Sequence, residues 1–170
     1  MEILKAIHSD ATIVALLARI TFTETFGHYF RDKLDLENYL NWTFNVQKLQ
    51  NSIAKPDNRY WLAKIEGLPV GYAKLKLNSP SPFVKESDCC QLQKIYVLKD
   101  FLSKKIGLAL QNELLNEATS KSPKIWLSVL KENERAVRFY GKNGFEKVGD
   151  HDFQIGKEHF EFQAMAKSLW

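Results

Sequence analysis

A chain of 170 residues with 45% hydrophobic and 26% charged residues has the composition of an ordinary soluble globular protein, long enough to bury a full core. Its net charge of +4 suits an anionic cofactor, but no basic run is dense enough to indicate nucleic acid, and no apolar run approaches membrane-spanning length. The first ten residues lack the apolar centre of a secretory signal, Cys89 and Cys90 are adjacent and so form no disulfide framework, and the four histidines are scattered. The expectations are a reducing, cytoplasmic location, no metal site, and a single domain over residues 1–170.

In chain order, Glu2 to Ile7 is a first strand. Ser9-Asp10 offers an N-cap to a helix whose buried stripe is Ile13, Leu16, Leu17 and Ile20. The aromatic stretch Thr23 to Phe30, interrupted by Gly27, marks a helix end or bend. Asp35 to Trp42 and Val46 to Ala54 form two short helices. Arg59 to Ile65 and Pro69 to Leu77 are strands joined by the hairpin signal Glu66-Gly67-Leu68. Asn78 to Asp88, with two prolines, is a loop.

The stretch from Leu92 to Leu115 organises the rest. Leu92 to Val97 is short, apolar and rich in strand-forming residues. From Lys104 onward Ile106, Leu110, Leu114 and Ala118 recur every four positions, which is one face of a helix. The turn between them delivers the chain to a helix N-terminus, whose unpaired N–H groups and dipole favour a phosphate. Lys124 to Val129 is a further strand, and Asn133 to Asn143 a helix capped by Asn133 and ended by Gly144. Phe145 to Val148, Asp152 to Ile155 and Phe160 to Ala166 close the chain as strands. This order implies a mixed α/β fold, a sheet covered by helices.

Asn133, Ala136 and Tyr140 share one face of their helix, with a small residue between two polar ones. Asn133 as a plain cap and Tyr140 as a core aromatic would explain the same spacing. The pattern Asn-x-x-Ala-x-x-Phe-Tyr-x-x-x-Gly-Phe, together with the Ile95-Tyr96-Val97 strand and the following turn and helix, resembles the GNAT superfamily of acetyl-CoA-dependent N-acetyltransferases. Glu24-Thr25-Phe26, Ile125-Trp126-Leu127 and the Met165-to-Leu169 tail are similar to PaiA-type polyamine acetyltransferases within it.

The resemblance implies a mostly antiparallel mixed sheet of about seven strands and acetyl-CoA as cosubstrate. It also implies a small-molecule amine acceptor, possibly a polyamine, and a monomer or homodimer. Carried over by residue, Ile95, Tyr96 and Val97 would pair with the pantetheine arm. Leu102, Ser103, Lys104, Lys105, Ile106, Gly107 and Leu108 would wrap the pyrophosphate. Asn133, with Ala136 beside it, would bond the pantetheine; Tyr140 would reach the thioester sulfur as acid catalyst, and Lys142 is a further cofactor contact. Glu24 and Phe26 would line the acceptor side, with Glu24 or a water chain as the base. The family usually has Gln or Arg at the place of Leu102 and Gly at that of Lys105.

The alternatives are a CoA-binding module without transfer activity and acetylation of a protein or amino-acid amine. A doubly wound nucleotide-binding domain is disfavoured because no Gly-x-Gly-x-x-Gly follows the first strand.

Overall fold

Seven segments rich in strand-forming residues pair into one sheet, the central ones buried on both faces, and the segments of helical period make five helices around them. The computed structural model describes all residues, Met1–Trp170. After β1 (Glu2–Lys5) come α1 (Ala11–Phe26), α2 (Lys33–Thr43) and α3 (Val46–Ala54). The strands β2 (Asn58–Ile65), β3 (Leu68–Lys76) and β4 (Cys89–Val97) follow. The chain closes with α4 (Ile106–Thr119), β5 (Lys124–Leu130), α5 (Glu134–Lys142), β6 (Glu146–Ile155) and β7 (Glu158–Ser168). The sheet order is β1-β2-β3-β4-β5-β7-β6, and every neighbouring pair is antiparallel except β4 with β5.

The sheet separates two cores. On one face α1, α2 and α3 bury Phe22, Phe26, Phe44, Tyr60 and Tyr72. On the other α4 buries the expected stripe of Ile106, Leu110, Leu114 and Ala118 against Leu127, Val129 and Met165. The hairpin between β2 and β3 turns at Glu66 (φ 50°) and Gly67 (φ 81°), the left-handed pair that matches strand twist.

Three expectations need correction. On α1, Leu16 is 58% and Ile20 39% exposed; the buried face is Val14, Leu17, Ala18, Thr21 and Phe22. Two overlapping apolar stripes fit the same period, and the one with alanines and Phe22 wins because small residues let the helix sit close to the sheet. Asp10 does not cap α1 through its side chain; a short 3-10 turn precedes the helix, and the carboxylate accepts from the Ile7 N–H at 2.8 Å. The two segments expected on either side of Gly149 are one ten-residue strand. Gly149 serves a close approach within that strand, since a Cβ there would run into the Phe83 ring.

β4 and β5 pair over three residues only, Cys89–Gln91 with Lys124–Trp126. The β3–β4 register then steps from Leu75–Leu92 to Lys74–Lys94, leaving Gln93 as an extra residue. Such a bulge bends its strand. Beyond it β4 leaves β5, and the sheet opens.

Next to the bulge, Lys74 and Lys94 stand directly opposite each other on the face covered by α1–α3. Their amines lie 5.3 Å from the Tyr60 and Phe44 ring centres respectively. Burial pulls the Lys74 amine down to about 7, helped by the charges of Lys94, Lys76 and Lys55; burial alone pulls Lys94 to about 8. A folded-state value below the unfolded one means that the unfolded chain binds more protons between about pH 7 and the ordinary lysine range. Stability therefore rises with pH through that window. Lys74→Met is expected to raise the melting temperature by a few degrees at pH 7, about 1 kcal/mol or more. The gain should shrink toward pH 10, as thermal melts across that range would show.

Candidate active site

A cleft of about 880 Å³ lies where β4 and β5 part. Its walls are the unpaired edge of β4, the Phe101–Leu108 loop and first turn of α4, the inward face of α5, and the end of α1. Ile95, Tyr96 and Val97 face it from β4, whose opposite edge is taken by β3. The edge toward β5 has no strand partner past Gln91, so main-chain donors and acceptors there are left for a ligand.

The loop before α4 has left-handed backbone at Ser103 (φ 71°) and Lys105 (φ 59°). Leu102, Ser103, Lys105, Ile106, Gly107 and Leu108 all line the cleft. Lys105 occupies the position where the resembling family has glycine, and its positive φ explains that preference: only glycine takes this conformation freely. Arg135, in the first turn of α5, donates to the Ser103 hydroxyl at 3.4 Å and ties the two walls together. Lys104 is not part of the lining; its amine lies over the Phe101 ring, 4.9 Å from its centre.

On α5, Asn133 Oδ1 accepts from the Ala136 N–H at 3.1 Å, so the cap expected from the sequence is present and leaves the amide N–H groups for other partners. Asn133, Ala136, Tyr140 and Lys142 all border the cleft. Tyr140 is 8% exposed, with its ring edge-on to Phe139 and Phe145 at 5.3 and 5.7 Å. Burial, with a smaller push from Tyr96, raises its phenol well above the usual tyrosine value. The enclosed phenol is therefore a weaker acid than a free tyrosine and stays protonated across the neutral range.

At the end of α1, Glu24 and His28 stand four residues apart and face the cleft with Thr25 and Tyr29. The Glu24 carboxylate accepts from the Lys99 N–H at 3.0 Å, which fastens α1 to the chain leaving β4. Phe26 lies on the other side of the helix. It stacks on Phe22 at 4.6 Å, meets Phe160 edge-on at 5.8 Å, and belongs to the core, not to an acceptor pocket.

Glu132, Tyr29 and Arg135 are site residues the sequence reading missed. The Tyr29 phenol is raised by burial and by the neighbouring Glu132 carboxylate. The signal available for Glu132 and Arg135 was their place beside Asn133. The α1–α2 connection is held to the β6–β7 turn by Arg31–Glu158 at 2.9 Å and Lys157–Asp32 at 2.8 Å.

The seven-stranded mixed sheet with one parallel pair that parts is the fold of the acetyltransferase class. The chain belongs to the acetyltransferase (GNAT) family, whose model matches residues 17–145, and it is an N-acetyltransferase. It is similar to an uncharacterized N-acetyltransferase of Lactobacillus delbrueckii subsp. lactis, 28% identical over 99% of this chain and 98% of the relative. In structure it resembles the PaiA N-acetyltransferase of Thermoplasma acidophilum, solved with coenzyme A, with a TM-score of 0.75, 22% identity and 98% of each chain covered. A Streptococcus mutans protein superposes with a TM-score of 0.78 at 24% identity over the whole of both chains.

One glycine sets how closely β3 supports the cleft. A Cβ at Gly71 would lie 2.8 Å from the Tyr96 carbonyl oxygen and 3.2–3.3 Å from Val97. Gly71→Ala is expected to destabilise the fold by about 1–3 kcal/mol and to lower acetyl transfer by displacing the β4 edge. Thermal melts and initial rates on the same preparation check both.

Proposed function

We propose that the cleft binds acetyl-CoA and passes its acetyl group to a primary amine of a small molecule, with the whole chain acting as one N-acetyltransferase domain. The observation that carries this is the unpaired edge of β4 lying beside both a phosphate-suited loop and the enclosed Tyr140 phenol. The residues present fit the cosubstrate: strand edge for a pantetheine amide, main-chain N–H groups and Lys105 for phosphates, Arg135 and Lys142 at the rim.

Bound there, acetyl-CoA supplies an acetyl thioester open to attack by a neutral amine. The Val97 N–H would hold the negative charge that develops on the carbonyl oxygen. Tyr140 Oη would hold the proton that the departing sulfur takes; a thiolate, with a conjugate acid near 8.5, is a weak enough leaving base to need only partial protonation. Because burial weakens the phenol as an acid, its proton would move only as the carbon–sulfur bond breaks and charge builds on the sulfur. Glu24, or water reaching the mouth, would take the proton that the incoming ammonium sheds.

Tyr140→Phe should lower kcat by about one to two orders of magnitude, with little change in the acetyl-CoA KM. An unchanged rate at saturating substrate removes Tyr140 from that role. Release of free CoA with an amine panel tests transfer itself; acetyl-CoA binding without release across the panel would make the protein a binding module.

Within the amines, the PaiA-type resemblance supports a polyamine, and the Glu24 and Glu132 carboxylates at the mouth suit its ammonium groups.

A further inference from the structure

An amine acceptor reaches the cleft as an ammonium, and its proton must leave before the nitrogen can attack. A primary alkylamine, with a conjugate acid near that of lysine at about 10.4, is almost wholly protonated at neutral pH. Three side chains that line the cleft can take up a proton there: Glu24 and His28 at the end of α1, and Glu132 after β5.

Glu24 already has a partner. Its carboxylate accepts from the Lys99 N–H at 3.0 Å, two residues beyond Val97. The Leu98 N–H between them goes to the Val70 carbonyl of β3 at 2.9 Å. Neighbouring N–H groups of a strand point to opposite edges, so the bond from Leu98 to β3 turns the Val97 N–H toward the cleft. Glu24 and β3 together therefore fasten the end of β4 where that N–H is presented. Glu132 stands beside the Tyr29 phenol.

His28 lies one helical turn beyond Glu24, in the tight turn Gly27–Tyr29 that ends α1. Its ring lies on that of Tyr29, with centres 3.9 Å apart, and it lines the cleft while remaining exposed to solvent. The charged and titratable groups around it are Glu24 and Tyr29, Lys33 at the start of α2, Lys99 after β4, and Glu132 and Arg135 after β5. As a class, imidazoles, at about 6.5, hold a proton roughly a hundredfold better than carboxylates, at about 4.3.

We infer that His28 takes the proton of the acceptor ammonium, directly or through one water, and that Glu24 is a positioning residue for the end of β4. The N–H bond of the ammonium breaks, its electron pair stays on nitrogen as the nucleophile, and the imidazole becomes an imidazolium that returns the proton to solvent. The inference rests on the acetyl-transfer reading of the cleft and assigns a step that reading leaves to Glu24 or water.

The test follows CoA release from pH 7 to pH 10, using the fastest amine among spermidine, L-lysine and tyramine. His28→Gln should lower kcat/KM for the amine about a hundredfold at pH 7. The gap should close toward pH 10, where much of the amine arrives already neutral, and added imidazole should restore part of the rate at pH 7. Glu24→Gln, which keeps an oxygen for the Lys99 N–H, should keep the wild-type pH profile, and Glu24→Ala should lower the rate by one factor at every pH. A His28→Gln loss that is equal at pH 7 and pH 10, or no loss at all, overturns the proposal. A pH-dependent loss in Glu24→Gln or Glu132→Gln in its place does the same. Absence of CoA release by the wild type with all three amines counts instead against the acetyl-transfer reading, and this inference falls with it.

Discussion

The separation of β4 from β5 after three paired residues is the constraint on which the rest of the molecule depends. A sheet interior normally satisfies every main-chain N–H and C=O between strands, and an unpaired edge is tolerated only where something else meets it. Here the extra residue at Gln93 bends β4 away while β3 holds its other edge, so the opening is built into the strand pairing and does not rely on a mobile loop. The gap also joins the two faces of the sheet. Tyr140 approaches from the side packed by α4 and α5, Tyr96 and the end of α1 from the other, so two ligands on opposite faces can meet through it.

The loop entering α4 serves the same opening. Its two left-handed residues, Ser103 and Lys105, turn the chain sharply enough to start α4 beside the cleft. A non-glycine residue in that conformation carries strain of about 1–2 kcal/mol, so the loop gives up some stability for its shape. Lys105 adds a positive charge that glycine lacks, at a place where anionic phosphates suit the proposed cosubstrate. Arg135 shows how the second wall is coupled to the first: one helix turn carries both the Asn133 cap and the guanidinium that reaches Ser103.

Much of this was legible in the sequence wherever one local rule decided the outcome. The four-residue spacing from Ile106 to Ala118, the Glu66-Gly67 turn and the Asn133 cap all rest on contacts within a few residues, and they appear where expected. What failed had competing solutions. On α1 two stripes shared one period, and the choice fell to how near the sheet the helix could settle, which depends on residues far along the chain. Phe26 follows from the same rotation: a helix that buries Phe22 must bury Phe26 as well, and it then offers Glu24 and His28 to the cleft. The segment between Val148 and Asp152 was not legible as strand because no local signal announces the Phe83 ring that fills the space of Gly149's missing side chain.

Charge around the cleft follows from the same long-range placement. Glu24 comes from α1, Glu132 from the link after β5, Lys105 from the turn into α4 and Arg135 from α5, so no short motif could have revealed which charges meet there. Lys74 and Lys94 are a second case: neighbouring strands set them opposite each other under α1–α3, and burial lowers both amines.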